Sequence, residues 1–97
     1  MRHRPRVDAN QQEIVDMLRR VGCTVTSLAS VGGGVPDLLV GYRGRTILME
    51  VKDGKKPPSA RLLTPDQREW ADAWSGGPVW VISDQTQALD IIKQIDS

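Results

Sequence analysis

A chain of 97 residues with 39% hydrophobic and 26% charged side chains is read as one folded domain, near the lower size limit for an independent core, which excludes a second domain and a disordered chain. A net charge of +1 leaves any attraction to polyanions to local clusters, Arg2-Arg4-Arg6 and Lys52-Lys55-Lys56. No apolar run approaches the roughly 18 residues of a membrane span and no signal-peptide stretch opens the chain, so a soluble, cytoplasmic protein with no membrane contact is expected.

Residues 1–7 carry three arginines without apolar periodicity and read as a basic arm ahead of a domain over residues 8–97. Asp8 is placed to cap a first helix in which Ile14, Val15, Leu18 and Val21 share a face, and Gly22 is placed to end it. The lone Cys23 has no partner in the chain and is expected as a buried structural thiol at the start of a strand over residues 23–29. Three glycines, Gly32 to Gly34, break that strand, and a second resumes over residues 36–42. Arg43-Gly44 reads as a tight turn into a third strand over residues 45–52. The runs Leu38-Leu39-Val40 and Ile47-Leu48-Met49 are apolar throughout, as in strands covered on both faces, so these two are expected at the sheet centre.

Residues 53–63 hold Gly54, Pro57, Pro58 and two lysines, which suits an exposed loop with nothing regular. Thr64, Pro65 and Gln67 then match a capping box with proline at the first helical position, opening a second helix that Gly76-Gly77 ends. A short strand over residues 78–83 and an amphipathic helix over residues 84–95, with Ala88, Leu89, Ile92 and Ile95 on one face, complete the order α-β-β-β-α-β-α.

Side chains alternate along a strand, so Glu50 and Lys52 face the same way. A two-residue turn at Arg43-Gly44 carries the pairing back to Asp37 opposite Glu50. Arginine is a poor residue for such a turn, and a three-residue loop with a Gly44 bulge, the alternative, shifts the pairing by one. Two opposed carboxylates destabilise a sheet and cannot both stay ionised in a partly buried place without compensation. A divalent cation compensates both. Oxygen donors suit Mg²⁺ or Mn²⁺, whereas zinc wants His or Cys, of which the chain has only His3 and Cys23. Magnesium completes its shell with waters and phosphate oxygens, which points to a phosphodiester substrate, and Lys52 is placed to orient water and neutralise charge developing on phosphorus-bound oxygens. Each charge alone is ordinarily a solvated one or half of an ion pair. Three of them interrupting apolar central strands cost stability and call for a functional reason.

Gly33-Gly34-Val35-Pro36-Asp37 followed by Met49-Glu50-Val51-Lys52 resembles the PD-(D/E)XK nuclease signature, and the strings GVPDLLV and LTPDQREW are similar to the VRR-NUC family, its short stand-alone phage and bacterial members in particular. The resemblance runs from about Glu13 to Trp80. It implies a restriction-endonuclease-like α/β fold, a three-layer core with a mixed sheet flanked by helices. It further implies metal binding by Asp37, Glu50 and the Val51 carbonyl, catalysis by Lys52, a supporting acid at Glu13 and an active-site place for Gln67. Ordinary readings stand beside the last two: a solvent-facing helix charge for Glu13 and a purely local capping role for Gln67. The implied activity is a Mg²⁺-dependent endonuclease acting on branched, Holliday-junction-like DNA; a non-catalytic DNA-binding module retaining the fold is the alternative.

The basic arm (Arg2, Arg4, Arg6) and the loop cations Lys55, Lys56 and Arg61 are expected to contact phosphates. The triple glycine is not followed by Gly-Lys-Ser/Thr or a helix, so a nucleotide-binding loop is rejected. Trp70 and Trp74, one helical turn apart, are expected in the core rather than stacked on unpaired bases. A homodimer is also expected, because cutting both strands of a junction symmetrically takes two sites; its apolar patch is read as Trp70, Trp74, Val79 and Trp80.

Overall fold

In a computed structural model, which describes residues 9–96, the helical spacing of Ile14, Val15 and Leu18 is realised as helix α1 (Ala9–Arg20), with all three side chains buried. The basic arm and the Asp8 cap lie outside the described residues. Gly22 adopts a left-handed φ of 101°; its N–H bonds to the Arg19 carbonyl and the Cys23 N–H reaches back to Leu18, a paired arrangement that closes the helix. Val21 therefore lies past the helix end, and it is exposed rather than part of the apolar stripe. Cys23 is a buried free thiol whose pKa burial pushes up, as an unreactive structural cysteine requires.

Four strands form one sheet in the order β1 (Thr24–Ser27), β2 (Leu38–Tyr42), β3 (Arg45–Val51), β4 (Val79–Ile82). The first three are antiparallel neighbours and β4 runs parallel to β3, so the two continuously apolar strands are indeed central. Tyr42 pairs with Arg45 and Leu38 with Met49, the register of the two-residue turn and not of the bulged alternative. Both turn residues take positive φ, 48° at Arg43 and 78° at Gly44. A non-glycine residue in that region costs roughly 1–2 kcal/mol. Arg43 is held there by an ion pair to Asp96 at 2.7 Å and by its guanidinium lying 5.3 Å from the Tyr42 ring centre.

Leu38, Val40, Ile47, Met49 and Val51 point to one face, where α1 and α3 (Gln85–Asp96) cover them with Ile14, Leu18, Ala88, Ile91 and Ile92. Each fully buried Leu or Ile of this set contributes about 1.5–3 kcal/mol relative to an exposed one. Ile91 belongs to this buried face along with Ala88 and Ile92, while Leu89 and Ile95 are only partly covered. Parallel β3 and β4 need a crossover, and α2 (Pro65–Ala73) supplies it on the opposite face. The result is three layers, α1 and α3, sheet, α2. The expected irregular segment before α2 contains a short 3₁₀ turn, Pro58–Arg61, because Pro58 presets the backbone for a tight turn.

Candidate active site

The β2–β3 register brings Asp37 to the residue beyond the Leu38–Met49 pair, opposite Glu50. Alternation then turns Asp37, Glu50 and Lys52 toward the α2 face. Asp37 Oδ2 accepts a hydrogen bond from the Val51 N–H at 2.9 Å. In a strand the N–H and C=O of one residue are directed to the same neighbour, so the Val51 carbonyl also lies on the Asp37 side. Glu50 is only 4% exposed. One of its oxygens, Oε2, accepts from Gln67 Nε2 at 3.0 Å and lies 3.5 Å from Lys52 Nζ. The other, Oε1, is buried with no hydrogen-bond partner among the described residues. Burial first, and the Asp37 charge second, push the Glu50 pKa from 4.5 up to about 7, against the opposing pull of Lys52.

Gln67 does two jobs at once. Thr64 and Gln67 form the complete capping box, with the Gln67 side-chain oxygen accepting from the Thr64 N–H at 2.9 Å. The same oxygen accepts from Lys52 Nζ at 2.7 Å, and the amide nitrogen holds Glu50. A single side chain thus ties the start of α2 to both charged side chains at the C-terminal end of β3. Its position depends on Gly34, which sits at φ 85° against the backbone of Asp66, where an added Cβ would overlap the Asp66 carbonyl. Of the three glycines only Gly34 serves close approach; Gly32 and Gly33, at φ 76° and 66° with open space about them, serve the turn.

Glu13 is not brought into this group. It is exposed and borders a separate cavity of about 360 Å³ with Asn10, Ser83 and Asp84. The α1 residue that does reach β3 is Asn10, whose Nδ2 donates to the carbonyls of Lys52 at 3.0 Å and Ser83 at 3.3 Å. An asparagine in a first helical turn ordinarily serves local capping, so nothing in the sequence pattern marks it for this contact. Lys55 and Lys56 are exposed in the loop leaving β3, while Arg61 is half-buried with its Nε enclosed and unpartnered.

Among the described residues no group of three or more His, Cys, Asp or Glu side chains converges, so the donors available to a cation are the two carboxylates and backbone oxygen. That set fits magnesium, which takes one or two carboxylates and keeps its waters. The orphaned Glu50 Oε1 is the observation that makes the fit specific, since a cation would supply the partner it lacks.

The dimer patch read from the sequence is split. Val79 pairs with Leu48 and faces α2, whereas Trp80 pairs with Met49 and packs against the core on the α1 and α3 side. The tryptophan pair is not core either: α2 has no buried residue, Trp70 is half-covered and Trp74, at the helix C-cap, is 48% exposed. The helix ends one residue earlier than the pair's spacing assumed, which turns Trp74 outward.

Two carboxylates and a lysine at adjoining ends of a central antiparallel pair, with a crossover helix above them, define a nuclease-like α/β domain. A solved structure described as "VRR_NUC domain" matches with a TM-score of 0.64 and 27% identity, covering 86% of this chain and 89% of that one. The chain is a VRR-NUC-type domain in fold, and the family resemblance carried by its PD and ExK strings is borne out. No family model and no curated protein matches the sequence. Among the described residues no helix is long and apolar enough to cross a membrane.

Proposed function

We propose that the protein is a divalent-metal-dependent endodeoxyribonuclease. The observation that carries this reading is Glu50, a nearly buried carboxylate with one oxygen unpartnered and the other held by Gln67 and Lys52. Asp37, Glu50 and the Val51 carbonyl would hold Mg²⁺ or Mn²⁺. Such an ion, when bound, would supply Lewis-acid polarisation of a phosphate oxygen and a lowered pKa for water. Lys52, oriented by Gln67, donates to an oxygen of the scissile phosphate and stabilises the charge that grows there as the P–O bond breaks. Asn10 keeps the Lys52 backbone in place through its carbonyl.

The substrate we assign is branched DNA of the junction type, cut inside the cytoplasm of a bacterial or phage-infected cell. Purified protein should cleave branched substrates, junction and flap, faster than nicked or linear duplexes with Mg²⁺ or Mn²⁺, and should bind with little cutting in Ca²⁺. Undiminished cutting in excess chelator would refute the metal-dependent reading, and binding without cutting in any metal would leave a non-catalytic DNA-binding module. A homodimer provides the two sites. Light scattering should return about twice the monomer mass.

Phosphates flanking the cut are held by Lys55 and Lys56, which leave β3 three and four residues after Lys52, together with Arg61 and the arm residues Arg2, Arg4 and Arg6. Replacing Lys55 and Lys56 together by Ala should reduce the slope of log affinity against log salt by about two, one for each phosphate that is no longer neutralised. An unchanged slope would make the loop an ordinary solvated one.

A further inference from the structure

Between α2 and the sheet lies an open cavity of about 390 Å³ whose floor includes Leu39 and Leu48 and whose wall is formed by Trp70 and Trp74. Among the described residues no charged one lines it. The two indoles are stacked, with ring centres 4.9 Å apart and planes 16° from parallel. Half-exposed though it is, Trp74 is locked: one ring face lies on Trp70, and its edge lies against Gly76, where an added Cβ would come within 2.5 Å of the indole nitrogen. A partly bare indole face above an apolar floor is a stacking platform, since every base has a face to lay on it.

One floor residue of the cavity, Leu48, stands next to the proposed active site along β3. Leu48 and Glu50 share a face of β3 one alternation apart, about 6.7 Å, or about two base rises of a stacked strand. Charge is segregated along that face: Lys52 and the exposed Lys55 and Lys56 stand at the Glu50 end, and the tryptophan end is neutral and apolar. A nucleotide has the same division, an anionic phosphate joined to an uncharged planar base.

We propose that the Trp74 shelf and its cavity receive an unpaired base of the substrate strand, within one or two nucleotides of the scissile phosphate. This rests on the nuclease reading and narrows its substrate to DNA with a frayed, flapped or otherwise unpaired nucleotide beside the cut. A base in a continuous duplex is sandwiched by its neighbours and has no free face for the indole, so the shelf discriminates by pairing state and not by base identity.

The test measures binding in chelator, where no cutting occurs, so its outcome is independent of whether the protein is a nuclease. The full chain is titrated with a blunt duplex and with the same duplex bearing a short single-stranded extension that carries 2-aminopurine at the junction nucleotide. The expected result is that Trp74→Ala weakens binding of the extended substrate about tenfold and abolishes the change in 2-aminopurine emission while sparing the blunt duplex; Trp74→Phe retains most of both. Gly76→Ala, which displaces the indole without removing it, should reproduce the Trp74→Ala phenotype. Equal losses on both substrates, or no loss on either, would overturn the proposal. A fall in molecular mass in Trp74→Ala would overturn it too, identifying the shelf as an interface between two copies of the chain.

Discussion

Asp37→Ala, Glu50→Ala and Lys52→Ala should each reduce Mg²⁺-supported cleavage to background, a loss of at least about a thousandfold, with the circular dichroism of a folded chain retained. The magnitude follows from what each removes. Losing one preorganised group that stabilises developing charge typically costs ~10²–10³ in rate, and losing a carboxylate from a two-carboxylate metal set removes the ion as well. Folding should survive, because none of the three fills the core between the sheet and α1 with α3. Gln67→Ala is expected to be milder in rate but costlier in stability than Lys52→Ala, since it breaks both the capping box and the hydrogen bonds to Lys52 and Glu50. Near wild-type turnover by any of the first three variants would remove that residue from the mechanism.

The second large effect is on stability, and its sign runs opposite to the effect on activity. In the metal-free protein the Glu50 pKa stands at about 7 against 4.5 for the unperturbed group, so the folded chain holds this proton more tightly than the unfolded chain does. That advantage is complete below about pH 4.5 and is lost as pH rises through 7. Glu50→Gln is neutral throughout and should keep it. In chelator at pH 8 the variant should therefore be more stable than the parent, by something on the order of 3 kcal/mol, with the two converging toward pH 5. Adding Mg²⁺ should raise the midpoint of the parent and leave the variant unmoved. Parallel profiles across this range would show that Glu50 ionises as a solvated carboxylate and that no strain is stored at the site.

The pairing of Asp37 with Glu50 was legible because a strand turn and a period-two pattern leave few registers, and the apolar runs of β2 and β3 demand one that buries Leu38 with Met49 and Val40 with Ile47. The capping box was legible for a similar reason: its donors and acceptors are all within four residues. What escaped depends on partners far along the chain. Arg43 tolerates its left-handed backbone through Asp96, 53 residues away, and no local propensity encodes that. Asn10 reaches the end of β3 across 42 residues, while Glu13, at an equally plausible spacing, looks elsewhere. The tryptophans misled because hydrophobic spacing predicts a shared face but not whether anything covers it, and α2 stops where Trp74 begins to turn outward. Val79 and Trp80 divide between opposite faces through the same alternation that correctly aligned Glu50 with Lys52.

The absence of any fully buried side chain on α2 has a thermodynamic consequence. This helix carries Gln67 and the tryptophan shelf, yet its hold on the sheet rests on the partial cover of Trp70, the polar links of Gln67 and the close approach of Gly34. Elements with so little apolar anchorage open at a smaller free-energy cost than the rest of a domain. The carboxylates stay behind on the rigid central strands when it does. A ligand that filled the space between helix and sheet would bind only the closed form, and would thereby add its own binding free energy to what keeps the helix down.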